Sequence, residues 1–429
     1  MDSNIISKQT ARRYVLGRQG LWPGRRFRGE AGTAQAIRQS EGIQVDTINI
    51  IARSHDLALW SRVEDYQPAH LNQLLYTAHQ FFDYGTILLV YPMDELVHWQ
   101  AIMARWQERF AEYLTTNQIT CDFVRQELRT RGPLGNRDFL ARERIPGGFR
   151  TVKDTGKALY YLWLAGEIMT HSRRGFERIF DFRENVMTAA RHAAIEGLPT
   201  TFPTLPLHEA NVKTAEDYLA FKALRDVGLA TSREWARRLK IMLHRPVTPA
   251  DATRWLTAPA EQGQVAQVQV EGYKLPCYLL AADLPLLNMI EAADIPFQWQ
   301  PLGPTTLEQV NLLAPLDNVI WDRARTHTLF DFDYVWEVYK PLPLRKWGYY
   351  TLPILFGDKL VGRLSPKLDR KNSKMLLEGF WLEDEALAYN ATFRDALGSG
   401  LQAFAAFHGV SHIEPPPDLS PALKSLLAL

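Results

Sequence analysis

Apolar residues along this chain fall largely into helical spacing, and the pattern breaks in a similar order three times. A helix is predicted from about Ser7, followed by a loop, a helical stretch over Thr33 to Gln39 and a short extended piece. After Asp46, Ile48, Ile51, Ala52, His55 and Leu59 recur every three or four positions and predict a further helix. "PAHLNQLLYTAHQ" from Pro68 predicts another, and "GTILLVYP" (Gly85 to Pro92) reads as a strand.

The second repetition is plainer. "QITCDFVRQELRT" is helical, and "GPLGNRDF" supplies a Gly-Pro break with Asn136 as a cap. Ala158, Leu159, Leu162 and Trp163 then lie at helical spacing, with Gly166 as the C-terminal stop. "IMTHSRRGFERIFDF" predicts two strands around Arg173-Arg174-Gly175, so the segment reads as helix–turn–helix followed by a hairpin with a basic tip. That is a winged-helix pattern, whose small cationic tip can reach a phosphate beside the groove. In the third repetition Thr214 and Asp217 have capping-box spacing, and the helix should stop at Gly228. Thr248 caps the helix opened by Pro249, and a hairpin turns at Glu271-Gly272.

From about Ile295 strands dominate: "YVWEVY" (Tyr334 to Tyr339), "GYYTLPILFGDKLVGRL" with a turn at Gly357-Asp358, and "SKMLLEGFWL". A last helix spans Ala391 to Gly409, weakened in the middle by Gly398 and Gly400. The expected architecture is therefore α+β, with units at 1–115, 116–208 and 209–294 and a β-rich domain at 295–429. A length of 429 residues suits two to four domains.

Composition removes several function classes. No apolar run is long enough for a membrane span, and "MDSNIISKQTARRYV" has no signal core, so a cytoplasmic protein is expected. Cys121 and Cys277 are isolated, which argues against structural zinc, iron–sulfur clusters and a disulfide framework. The net charge of +1 offers no global basic field, so any nucleic-acid footprint must be local. Arg12, Arg13 and Arg18 in the first helix, Arg25, Arg26 and Arg28 in the loop after it, and a run from Arg129 through Arg142, Arg144 and Arg150 to Lys153 are such patches.

Candidate chemistry sits in "EGIQVDTINIIARSHDLALW" (Glu41 to Trp60). In an extended segment Gln44 and Asp46 share one face and Ile43 and Val45 the other. Two readings stay open on spacing alone. Asp46 or Thr47 could simply cap the helix, where the dipole favours a carboxylate by up to about 1 kcal/mol. Alternatively the two polar side chains face outward together as a site.

The stretches "IQVDTINIIARSHDLALWSR", "GPLGNRDF", "KALYYLWLAGEIMTHSRRGFERIFDF" and "LLAPLDNVIWDRARTHTLFDFDYVWEVYKPLPLRKWGYYTLPILFGDKLVGR" resemble the AlkZ/YcaQ-like winged-helix DNA glycosylases over nearly the whole chain. The resemblance implies three tandem winged-helix units followed by a β-barrel-like domain. It places the family's Gln-apolar-Gln/Asp motif on Gln44, Val45 and Asp46, in the Gln-x-Asp form of the branch that unhooks interstrand crosslinks and removes N7-alkylguanines. It implies a monofunctional hydrolase of base excision repair, acting on double-stranded DNA with alkylated or crosslinked purines. A monomer with no metal or organic cofactor is expected.

Those two side chains suit the reaction. An N7-alkylated guanine leaves as a neutral base, so the remaining demand is to stabilise an oxocarbenium-like sugar and deliver water to it. An ionised Asp46 can do both, and Gln44 can hold the water without titrating. His55 reads as a helix-packing histidine, the alternative being an approach to the lesion or a phosphate. Arg12, Arg13, Arg173 and Arg174 are DNA-contact candidates, as are Arg345 and Lys346 on the stiff "KPLPLRKWG" loop. Arg323 and Arg325 would either contact DNA or fix a domain interface, the loop 17–32 resembles a family loop to which no role is assigned, with DNA contact as one reading, and Trp163, Trp321 and Trp381 would be core. No lysine is placed for Schiff-base chemistry. The rival is a non-catalytic winged-helix DNA-binding protein that uses Gln44 and Asp46 only for local structure.

Overall fold

Ser7 opens the first helix as its cap: the hydroxyl accepts the Thr10 amide, and Lys8–Arg18 then buries Tyr14, Val15 and Leu16. The computed structural model describes residues 5–139, 144–147, 150–192 and 209–427, the side chains of 144–147, 150–151, 189–192 and 209–211 excepted. Arg142 lies outside the described residues, as do the side chains of Arg144 and Arg150. The chain divides into two compact units, one of 1–67, 222–238 and 247–429, the other of 68–221 and 239–246.

In the first unit a five-stranded sheet runs Val310–Leu312, Leu352–Phe356, Lys359–Asp369, Lys374–Leu382 and His412–Glu414 in chain order. Its pairs are antiparallel except the last, which is parallel. Helix Ala391–Phe407 crosses the strand Val310–Leu312 so closely that a Cβ on Gly400 would lie 2.6 Å from the Val310 carbonyl oxygen. The glycine that weakens the helix by propensity is therefore what allows the approach. Gly400→Val is expected to cost about 1–3 kcal/mol through overpacking against backbone, read as a lowered denaturation midpoint. A second sheet joins Ile5–Ile6, Val265–Val270, Cys277–Leu280 and Ala230–Thr231. Between these elements Tyr14, Leu16, Leu21, Val268, Leu279, Trp299, Leu313, Ile320, Phe332 and Leu355 form one apolar core.

In the second unit Gln118–Arg131 and Asp154–Leu164 are followed by the hairpin Ile168–Arg174/Glu177–Phe182, whose outer strand pairs with Leu134–Gly135. The same order of helix, short strand, helix and hairpin recurs over 209–280, where Ala230–Thr231 pairs with Cys277–Leu280. Tyr84 packs on Trp99 and Trp163 and donates its hydroxyl hydrogen to the Leu164 carbonyl at 2.6 Å.

Local signals held where they were chemical. Thr248 and Asp251 form the reciprocal cap with Pro249 in the first turn, Gly166 and Gly228 end their helices at φ +72° and +71°, and the hairpin turns at Glu271-Gly272. Periodicity alone misled in several places. No helix begins at Asp46: residues 45–53 form an irregular turn closed by the Asn49–Arg53 bridge, and the helix is Ser54–Trp60. The turn buries Ile51 much as a helix would, which is why the spacing reads as helical. Thr214 is interior to helix Glu209–Val227, because Glu209 and Ala210 extend the helix upstream without a breaker. Residues 85–88 are the turn of hairpin Phe81–Tyr84/Leu89–Pro92 rather than strand.

No strand occupies 334–339 either. Its alternation is satisfied by an irregular loop in which Tyr334 donates to the Thr351 carbonyl and the Glu337 carboxylate accepts from Trp347 N–H and Lys340. Asn136 opens a short 3-10 turn instead of capping a helix. Trp163 is buried, whereas Trp321 and Trp381 are half-buried. Among the described residues no helix is long and apolar enough to cross a membrane.

Candidate active site

Four polar side chains of the first unit gather behind Asp46. Its Oδ1 accepts the Thr47 amide at 2.8 Å, while Oδ2 is buried and meets no hydrogen-bond partner among the described residues. Burial raises the Asp46 carboxyl above the usual aspartate range, and the Thr47 and Ile48 amides pull it back only in part. The Asp46 backbone N–H donates to His55 Nδ1 at 3.3 Å, and His55 Nε2 faces Asp56 Oδ2 at 4.0 Å. Asp56 accepts the Tyr66 hydroxyl at 2.7 Å. Its carboxyl is also raised by burial, against the lowering effect of Tyr66 and Arg53.

Tyr350 completes the group. It is 1% exposed, its hydroxyl donates to the Ala52 carbonyl at 3.3 Å, and its titration is pushed far up by burial and then by the charges of Asp46 and Asp56. Gln44 ends the two-residue strand Ile43–Gln44, half-buried, and its carboxamide makes no hydrogen bond to another described residue. The turn thus carries one half-buried carboxamide and one buried carboxylate oxygen without hydrogen-bond partners among the described residues, beside the polar side chains of His55, Asp56, Tyr66 and Tyr350.

The start of this segment is fixed by charge. Glu41, at φ 58°, accepts from Lys222 at 3.0 Å and Arg225 at 2.7 Å, and these cations hold its carboxyl below the usual glutamate range despite burial. Asn318 donates to the Ser40 and Gly42 carbonyls at 2.9 Å each. Arg62, immediately after the site helix, makes a two-pronged contact with Asp317 at 2.7 and 2.9 Å, both side chains fully buried. Asp56, Tyr66 and Tyr350 were not singled out from the sequence. The only signal was the polar Asp56 following His55, since Tyr350 is brought in from almost three hundred residues away.

The cationic candidates separate. Arg12 and Arg13 turn inward on Asp358 at 3.6 and 3.7 Å and are 12% and 26% exposed. Arg173 is buried against Tyr76 at 2.6 Å and Asp83 at 2.5 Å. Arg174 is half-exposed but shared between Asp138 and Glu177. Arg345 stacks on Tyr349 at 4.6 Å, and exposed Lys346 lies over Trp347 at 4.3 Å. Arg325 is buried and donates to the Val227 and Leu229 carbonyls, a structural role, while Arg323 is exposed. Loop 17–32 is mostly packed inward, with Arg25 over Trp60 at 4.5 Å and Arg26 donating to the Gly17 and Trp22 carbonyls. Among the described residues no group of three or more His, Cys, Asp or Glu side chains could hold a metal ion.

The fold, with its repeated helix–strand–helix–hairpin segments, has a counterpart among solved structures. The structure of Streptomyces sahachiroi DNA glycosylase AlkZ is similar, with a TM-score of 0.57 and 14% identity, covering 95% of this chain and 98% of that one. The family model for AlkZ-like DNA glycosylases matches residues 37–407, and the chain belongs to that family.

Proposed function

We propose that this protein is a monofunctional DNA glycosylase that hydrolyses the N-glycosidic bond of N7-alkylated purines in duplex DNA, including purines joined in interstrand crosslinks. The observation that carries the reading is the Asp46 carboxylate: one oxygen is anchored by backbone, and the other has no partner within the described protein. A carboxylate so placed can accept a proton from water and oppose the positive charge growing on the sugar. Gln44, two residues away with a free carboxamide, can orient that water. The rival reading of Asp46 as a helix cap has no support, because the helix starts eight residues later at Ser54.

The segments 118–182 and 209–280 are proposed as winged helices, since in each the short strand after the first helix joins the terminal hairpin. The finer division at 1–115, 116–208, 209–294 and 295–429 is proposed from the family resemblance and the repeating order of elements. DNA contact is assigned to Arg345 and Lys346, with Arg174 in a lesser role. Arg12, Arg13 and Arg173 are left out because their charge is already spent on internal carboxylates or lies under the surface. Around Arg345 and Lys346, Tyr339, Leu342 and Leu344 are 87%, 75% and 67% exposed, an apolar and cationic loop of the kind that suits sugar–phosphate and base surfaces. Replacing Arg345 and Lys346 together with alanine is expected to weaken binding and to reduce the slope of log K against log salt by about 2, measured by fluorescence anisotropy.

The reading is tested by incubating excess enzyme with a duplex carrying one N7-methylguanine and assaying the free base. Release with an intact abasic strand supports it. Binding without release, from this lesion and from a nitrogen-mustard crosslink, would leave a binding protein.

A further inference from the structure

His55 was expected to be a packing residue, yet its ring is wedged between two backbone and side-chain elements of the site. On one side Nδ1 receives the Asp46 N–H at 3.3 Å; on the other Nε2 faces Asp56 Oδ2 at 4.0 Å. The ring is only 5% exposed. An Nδ1 that accepts a hydrogen bond carries no proton, so the geometry selects the Nε2–H tautomer, the one directed at the Asp56 carboxylate. Asp56 is in turn held by the Tyr66 hydroxyl at 2.7 Å. The chain of contacts runs Tyr66, Asp56, His55, Asp46 backbone.

This matters because nothing regular supports Asp46. Its segment is an irregular turn, with Thr47 and Asn49 exposed and residues 45–48 in neither helix nor strand. The part-buried Asp46 amide, bonded to His55, lies beside a carboxylate whose Oδ2 meets no partner among the described residues. In such a turn the acceptor aimed at the Asp46 amide, together with the Thr47 amide on Oδ1, sets which way the side chain points. The helix that carries the acceptor is itself anchored: Ser54 Oγ accepts the Leu316 amide at 3.3 Å, and Tyr350 ties the preceding Ala52 carbonyl at 3.3 Å.

We propose that His55 is a positioning residue for the reaction: as a neutral imidazole beside Asp56, it holds the Asp46 backbone and so sets the direction in which the carboxylate meets the sugar and its attacking water. The inference rests on the proposed glycosylase reading. His55 transfers no proton and touches no substrate; it acts through Asp46 alone.

That last property gives the test. Single-turnover excision and lesion-DNA affinity are measured for wild type, His55→Leu, His55→Asn, Asp46→Asn and the double variant Asp46→Asn/His55→Leu. Misplacing a catalytic group typically costs up to about a hundredfold, so His55→Leu should slow excision roughly 10- to 100-fold with affinity changed less than about threefold. His55→Asn, whose carboxamide oxygen can stand near the Nδ1 position, should recover most of the rate. In the Asp46→Asn background His55→Leu should add no further loss. An unimpaired His55→Leu enzyme, an Asn variant as slow as the Leu variant, or losses that multiply in the double variant would each overturn the proposal.

A readout independent of activity guards against misfolding and against failure of the functional reading. Hydrogen exchange of the peptide containing the Asp46 amide, followed by mass spectrometry, should be slow in wild type and His55→Asn and fast in His55→Leu, with peptides of the five-stranded sheet unchanged. Equal protection of the Asp46 peptide in all three proteins would overturn the positioning role. If wild type excises nothing while this pattern holds, the glycosylase reading fails and the contact stands.

Discussion

Asp46→Asn is expected to excise N7-methylguanine about 10²- to 10⁴-fold more slowly than wild type under single-turnover conditions, the usual contribution of a placed general base. At 1.36 kcal/mol per decade this is roughly 3–5 kcal/mol of barrier. The carboxamide keeps the shape and can still accept the Thr47 amide, so the loss isolates the negative charge. The pH dependence carries a sign. Activity needs the ionised carboxylate, and burial raises its pKa above the ordinary aspartate value. The rate should therefore fall as pH drops through that raised pKa, and Asp46→Asn should lack this acid limb.

The same shift opposes folding. A carboxyl whose pKa is higher in the folded than in the unfolded state disfavours the fold above that pKa, and the penalty disappears as pH falls through it. Asp46→Asn should melt no lower than wild type at pH 7 while losing most of its activity. Loss of both together would point to a structural role, and an unaltered rate would remove Asp46 from the chemistry.

Asp317→Ala should produce the largest stability loss, about 3–5 kcal/mol, because it strands a guanidinium in the core. Arg62 and Asp317 are both fully buried, and Arg62 is further saturated by the Gln19 carbonyl at 2.7 Å and the Ala58 carbonyl at 2.8 Å. Those acceptors keep the arginine in place when its counter-charge is gone, so the unpaired charge stays buried. Replacing the pair by apolar side chains, as in Arg62→Met/Asp317→Leu, should cost less than Asp317→Ala, since no charge is then left alone. Urea denaturation of both variants checks the order. A midpoint for Asp317→Ala indistinguishable from wild type would show that water reaches Arg62. Because Arg62 follows the helix that carries His55, a destabilised Asp317 variant should also excise more slowly at temperatures where it is still folded.

Much of the architecture was legible wherever a residue has one physical reason to be where it is. Thr248, Pro249 and Asp251 can satisfy the amides of only one helix start, and Gly166 and Gly228 end helices at positive φ that other residues resist. The strands after Leu352 were readable because their turn, Gly357-Asp358, sits between alternating apolar runs. Apolar spacing without such markers was ambiguous. Ile48 and Ile51 fit a helix, yet Asn49 and Arg53 close a turn instead, and Tyr334 to Tyr339 alternate like a strand while Glu337 ties them into a loop.

The family resemblance brought Gln44 and Asp46 forward; spacing alone favoured a helix cap. The arginines show the opposite case, since their clustering along the chain suggested local basic patches. Packing turned Arg12, Arg13, Arg25, Arg26, Arg62, Arg173 and Arg325 onto carboxylates, carbonyls or aromatic rings within their own units. A guanidinium's partner is chosen in space, and nothing local distinguishes a phosphate-seeking arginine from one satisfied inside.

Sequence by itself determined the alternation of helices and hairpins, the caps and stops, and the pairing of a carboxamide with a carboxylate two residues on. These follow from interactions among residues near in the chain, whose geometry the backbone limits to few choices. Only the tertiary structure decided that Asp46 lies on an irregular turn, that one of its oxygens is left without a partner, and that His55, Asp56, Tyr66 and Tyr350 stand behind it. Those depend on burial and on contacts between residues as distant as Ala52 and Tyr350, and burial is a property of the folded whole.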